Sequence, residues 1–246
     1  MYDAHLVLAR ISHHVGLVLA LGGLALVCNY VFFWEAARCA RRDRCVPFLL
    51  LAIGLWFAHD ATYLLSAHKW FSTYHHWFPE LFTFGLVVTF GFEITYVVQT
   101  FRYGRAELTP KLTEAQFRGY VVGALFLAVV FWGITKATLD DPLFLMTFML
   151  TAVWALGSNI ALAVRRGPLV GQSVLQWAAF TGMIGSYGLV SIVVFGGDFR
   201  KLPWVLLCVT GVLGGIGMTI WLRQASASIR ANVDTVERKA AALSGP

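Results

Sequence analysis

Charge is what this sequence has least of. Lys, Arg, Asp and Glu make up 13% of its 246 residues against 58% hydrophobic ones, and the mean hydropathy is +0.69. Soluble domains carry roughly twice that share of charge, so the composition excludes a water-facing surface and leaves an all-α polytopic membrane protein. Cysteine is scarce too. Cys28, Cys39, Cys45 and Cys208 show neither zinc-site spacing nor a disulfide framework. Histidine is present seven times, yet no HxxxH or HExxH pair occurs, so the metal-binding spacing of a helix face is missing and no metal site is expected.

What is abundant is long apolar sequence. A helix needs about 20 such residues to cross the hydrocarbon. Seven stretches qualify, near 15–34, 46–66, 81–101, 119–137, 143–164, 171–195 and 203–222. The first has no short apolar core followed by a small-residue cleavage site, so it reads as a retained helix rather than a signal. Loops are short, which makes 1–246 a single seven-helix transmembrane domain with 223–246 as a short tail.

Basic residues collect on the cytoplasmic side of membrane proteins. Alternate loops and the tail hold 14 of the 19, including Arg38, Arg41, Arg42, Arg44, Arg165 and Arg166. Only Arg10, Lys69, Lys136, Arg200 and Lys201 fall on the other side. The N-terminus is therefore expected outside and the C-terminus in the cytoplasm. The formal charge of +6 follows from this rim facing anionic lipid, so no nucleic-acid partner is implied. A multi-pass protein of this kind belongs in the plasma membrane of a bacterium or the endoplasmic reticulum of a eukaryote.

Two carboxyl groups lie well inside the apolar stretches: Asp60, in "FAHDATY" (57–63), and Glu93, in "FGFEITY" (90–96). An acid near mid-helix costs roughly 2.5–3.5 kcal/mol on insertion scales, and such groups usually mark a site. From the outer ends of their stretches the two lie ~9 Å and ~18 Å deep, which predicts that a small molecule cannot touch both. Helical spacing puts Trp56, Asp60 and Tyr63 on one face, with His59 adjacent, and Thr89, Glu93 and Tyr96 on another. Asn29, Tyr187, Asn159, Gln172 and Gln176 add polarity elsewhere, where interhelical hydrogen bonding is the ordinary role.

A carboxyl walled off from water resists ionisation. It can then serve as a general acid toward an alkene or an epoxide oxygen in a lipid-soluble substrate. The resulting cation is stabilised by aromatic faces, of which the chain has 36.

On these residues the sequence resembles the seven-helix membrane terpene cyclases of fungal meroterpenoid and indole-diterpene pathways. Those proteins share its length and helix number and carry an acid in a W-E-x-x-Y-like segment of the second helix. That motif maps onto Asp60 and Tyr63, with His59 where the Trp would be. "CNY" (28–30) and "FTGMIGSYGLV" (180–190) look like other family segments. The family's second acid, in the last helix, has only Gly214 or Gly215 at the comparable place; Glu93 is the available substitute, or is itself the match to the second-helix motif. The resemblance implies an enzyme that protonates a prenyl-derived substrate and starts carbocation cyclisation without diphosphate loss and without a cofactor. Asp60 is then the general acid and Glu93 a second acid or the final base. His59 and Tyr63 orient Asp60, while Trp56, Tyr96, Tyr187 and Asn29 line the substrate cavity.

Three other seven-helix or transporter classes are excluded by what is missing. Residues 203–222 contain no lysine for a retinal Schiff base and no histidine for a membrane zinc hydrolase, and no Pro-Gln pair marks a sugar transporter. Two readings stay open beside the cyclase: a non-catalytic lipid- or partner-binding protein, and an isomerase acting on a smaller epoxide.

Overall fold

The computed structural model describes residues 2–243, with side chains described for 2–229 and Ala231. Eight α-helices follow one another: α1 (Ala4–His13), α2 (Val15–Asp43), α3 (Leu50–Tyr74), α4 (Trp77–Leu108), α5 (Glu114–Thr138), α6 (Leu145–Arg166), α7 (Val174–Val190) and α8 (Leu202–Leu243). No strand occurs among the described residues. Seven of the helices, α2 to α8, are long and apolar enough to span a membrane. α8 runs on to Leu243, so most of the expected tail continues the last helix; residues 244–246 lie outside the described residues.

α3, α6 and the helix continuing α7 to Phe195 are the most enclosed, with 56–61% of their apolar windows buried, against 22–28% for α2, α4, α5 and α8. The latter four turn their Leu, Val and Phe outward, including Phe84, Phe126 and Leu213. In water that surface would be untenable; in hydrocarbon it is the solvated face. α3 lies close against α5 at Gly54, where a Cβ would stand 2.5 Å from the Cβ of Ala128. Small residues of this kind let spanning helices gain van der Waals contact where lipid removes the hydrophobic drive.

α3 and α4 form a hairpin joined only by His75 and His76, with His75 in the left-handed region (φ 45°). Both helices overrun the expected ends, 66 and 81, because His68, Lys69, Trp70 and Tyr74 lower the hydropathy without disfavouring a helix. Interfacial residues continue a span where an apolar count stops.

α1 is an element that hydropathy did not reveal. It is amphipathic, capped by the Asp3 side chain on the His5 and Leu6 amides, and buries Ala4, Val7, Leu8 and Ile11 at helical spacing. Tyr2 just before it reaches Asp141, which is fully buried in the α5–α6 connection. Asp141 accepts from the Tyr2 hydroxyl at 2.5 Å, from the Thr147 amide at 2.7 Å and from the Thr147 hydroxyl at 2.9 Å. Asp141 thus ties the N-terminus to α6. Removing a charged acceptor strands these donors, so Asp141→Ala is expected to cost about 3 kcal/mol, a loss of roughly 6–12 °C in a thermal melt of detergent-solubilised protein. Asp141→Asn, which keeps one acceptor, should lose less; equal melting of all three proteins would refute the tie.

The opposite end of the bundle carries most of the arginines. Glu107 of α4 accepts from Arg166 and from the Val46 amide (2.9 Å), and Arg166 also donates to the Val46 carbonyl (2.7 Å). Glu35 accepts two hydrogen bonds from Arg38 (2.8 and 2.7 Å) and one from Ser173 (2.7 Å). Cys45 is packed beneath this lattice, and burial pushes its thiol up to about 11, against the opposing pull of Arg166. At pH 7.5 the thiolate is the reactive form and is depleted about 100-fold relative to a thiol at the ordinary 9.0. In a variant whose other three cysteines are serine, maleimide labelling should therefore be slow in the folded protein and rise about tenfold per pH unit. Labelling at the speed of a free thiol would show an open loop.

Candidate acid site

The antiparallel hairpin brings the two acids together. Asp60 lies fourteen residues before the end of α3 and Glu93 sixteen residues after the start of α4. Along the helices that is about 21 Å and about 24 Å from the turn, so the expected mismatch in depth is corrected to nearly none. Its source was the misplaced ends of the two stretches. The Phe57 and Phe90 rings, which open the two echoing segments, pack at a tilt across the same interface, 4.9 Å between centroids.

Both acids are buried and line the same hollow. Asp60 is held on both oxygens: Oδ1 is 2.7 Å from His59 Nδ1, and Oδ2 accepts from the Thr89 hydroxyl at 2.9 Å. A carboxylate offers only acceptors, so a direct bond between two carboxyl groups requires a hydroxyl on one of them. Two buried atoms here find no protein partner, His59 Nε2 and Glu93 Oε2.

Beside the pair is a hollow of ≈ 30 Å³, walled by Trp56 from α3, Phe148 and Thr151 from α6, and Phe180 and Met183 from α7. Trp56 is fixed by its indole N–H, which donates to the Thr151 carbonyl at 3.2 Å. The hollow shares Asn29, Thr89 and Phe148 with a larger apolar groove of ≈ 120 Å³ between α2, α4 and α7. The outer end of that groove is formed by Leu19 and Leu81, 49% and 45% exposed on the lipid-facing surface. Gly22 and Gly23 leave its α2 wall without side chains, and Gly85 makes room on α4, where a Cβ would meet Leu26 at 3.1 Å.

Of the residues expected at the site, Asp60, Glu93, His59, Trp56 and Asn29 converge on the hollow. Tyr187 lines the groove and donates to the Leu145 carbonyl at 2.6 Å. Tyr63 and Tyr96 do not line either space. Tyr63 packs its ring on Trp70 (4.0 Å), Phe82 and Phe144, and no hydrogen bond links it to Asp60 among the described residues. The orienting role expected of Tyr63 falls to Thr89. Tyr96 stacks on Phe33 (5.6 Å) and donates to the Phe33 carbonyl at 2.7 Å, one layer behind the wall. Phe148 and Thr151 of α6 and Phe180 and Met183 of α7, which wall the hollow, went unnoticed in the sequence. Thr151 at helical spacing from Phe148 is the sole signal there, and Thr is common in spans for other reasons. Among the described residues no three His, Cys, Asp or Glu side chains gather as a metal ion would need. No family model, curated protein or solved structure matches this chain.

Proposed function

We propose that this chain is a membrane enzyme of the terpenoid-cyclase type, protonating an epoxide oxygen or an alkene of a prenyl-derived substrate to start carbocation cyclisation without diphosphate loss. The observation that carries this reading is the pairing of two buried carboxyls at the inner end of an apolar groove open to lipid. In a bilayer such a groove is filled by hydrocarbon, so a prenyl chain reaches the acids without crossing water.

The hydrogen-bond pattern favours Glu93 as the proton donor. Asp60 already accepts from Thr89 and faces His59, which suits a carboxylate, whereas Glu93 Oε2 is unengaged. This exchanges the roles expected from sequence. In the proposed step the Glu93 O–H bond breaks, a substrate O–H (or C–H, for an alkene) bond forms, and for an epoxide a C–O bond opens to leave a carbocation. Trp56, Phe148 and Phe180 present aromatic faces to it. Loss of a proton from carbon to the Asp60–Glu93 pair ends the sequence and restores the acid, so the product is an isomer of the substrate. The basic-residue asymmetry supports a cytoplasmic arginine-rich end, and on that reading the mouth of the groove opens to the outer leaflet.

The narrowness of the hollow favours the second reading. Its ≈ 30 Å³ admits only a few heavy atoms, so the reacting end of a small epoxide, or the tip of a bound lipid that is never turned over, enters with less displacement of Phe148 than the folded chain a cyclisation needs. Membranes containing the chain, supplied with epoxidised prenyl chains and then with short epoxides, separate these cases. Cyclic isomers from the long substrates support the cyclase, ring-opened isomers from the short ones alone support the isomerase, and binding without turnover supports the lipid-binding protein.

A further inference from the structure

A second polar hollow lies toward the arginine-rich end, apart from the acids. It is small, ≈ 10 Å³, and sits among Asn159 of α6, Gln172 before α7, Gln176 on α7, Arg166 and Trp177. The three amides are each more than nine-tenths buried. Each presents one atom without a protein partner: Asn159 Oδ1, Gln176 Oε1 and Gln172 Nε2. The orientation of Gln172 is settled independently, because its Oε1 accepts from the Trp177 indole at 2.9 Å and its amino group must therefore point the other way.

Two acceptors and one donor facing a shared space is the pattern complementary to a single water. Unmet buried groups of this kind destabilise a fold. A cavity of roughly 10–15 Å³ is enough to admit one water, and buried waters typically make about three hydrogen bonds. A cation is disfavoured by the Arg166 guanidinium in the wall, and anything larger does not fit. We propose that this hollow is a binding site for one water molecule, which donates to Asn159 Oδ1 and Gln176 Oε1, accepts from Gln172 Nε2, and fastens α6 to the start of α7.

The consequence reaches beyond the hollow. Trp177, held by Gln172, packs its ring on Phe180 (5.5 Å) and on Phe32 (6.4 Å), and those two rings wall the acid hollow. The water thus steadies the aromatic layer between the two spaces. This role does not depend on what reaction, if any, the acids perform.

Two measurements test it on the full chain. In a density map that resolves ordered waters, one peak should lie within hydrogen-bond distance of all three atoms; amides bonded to one another, or a dry hollow, would overturn the site. In detergent, Asn159→Leu and Gln176→Leu should each lower the melting temperature by roughly 2–4 °C, and the double variant should lose clearly less than the two together, since neither acceptor is then left waiting for the same water. Strictly additive losses would show two independent amides and sink the proposal. Should either variant fail to fold, Asn159→Asp and Gln176→Glu, which keep the acceptor oxygens, are expected to retain the map peak, and its loss in both would count against the water.

Discussion

Glu93→Gln is expected to reduce cyclic product from an epoxidised prenyl chain by roughly 10²–10⁴-fold, the usual contribution of a positioned general acid. Gln occupies nearly the same volume, and its amide N–H can donate where the proposed Glu93 hydroxyl would, so packing in the hairpin is retained while the transferable proton is lost. Asp60→Asn should fall in the same range for a different reason: the partner that takes the proton back is gone, and one of the two acceptor oxygens that face His59 and Thr89 is replaced by an amino group. Because the two act as one unit, the double variant should be no slower than the slower single one. Turnover unchanged in both single variants, with melting temperatures intact, would remove the acids from the chemistry and leave them as a hydrogen-bonded tie between α3 and α4.

Filling the groove should have the next largest effect. Gly85 sits where a Cβ already meets Leu26 at 3.1 Å and the Tyr30 hydroxyl at 3.6 Å, and that hydroxyl donates to the Gly85 carbonyl at 3.0 Å. Leu at this position occupies the passage between the lipid and Thr89. We expect kcat/KM for a long prenyl substrate to fall on the order of 10²-fold through misplacement of the reacting end, with most of the loss in KM. Gly91→Leu is the control, since an added Cβ there meets nothing within 4 Å. A short epoxide should be less affected by Gly85→Leu than a long chain is. Equal loss for both lengths would place substrate access elsewhere, and no loss for either would disconnect the groove from the acids.

How much of the site could be read beforehand differs residue by residue. Asp60 and Glu93 stood out because an acid inside an apolar stretch is costly enough to need a reason, and His59 and Trp56 followed as near neighbours. Tyr63 and Tyr96 were plausible on the same ground but lie elsewhere. A residue three positions along a helix is turned roughly 60° from the first, which is enough to carry a ring out of one interface and into the next. Tyr63 went to the Trp70–Phe144 cluster and Tyr96 to the carbonyl of Phe33. Phe148, Phe180 and Met183 carry no local mark that separates a cavity wall from ordinary core.

The sequence by itself determined that this is a bundle of seven apolar helices, since each span needs its own run of hydrocarbon-compatible residues and every backbone group must be satisfied within its own helix. It also determined that two carboxyls are held away from water. Only the tertiary structure decided that they meet. That outcome depends on the two-residue turn at His75–His76, which sets the register of α3 against α4, and on α2, α6 and α7 closing a hollow and a groove around them, contacts between residues far apart in the chain that no local pattern of hydropathy encodes.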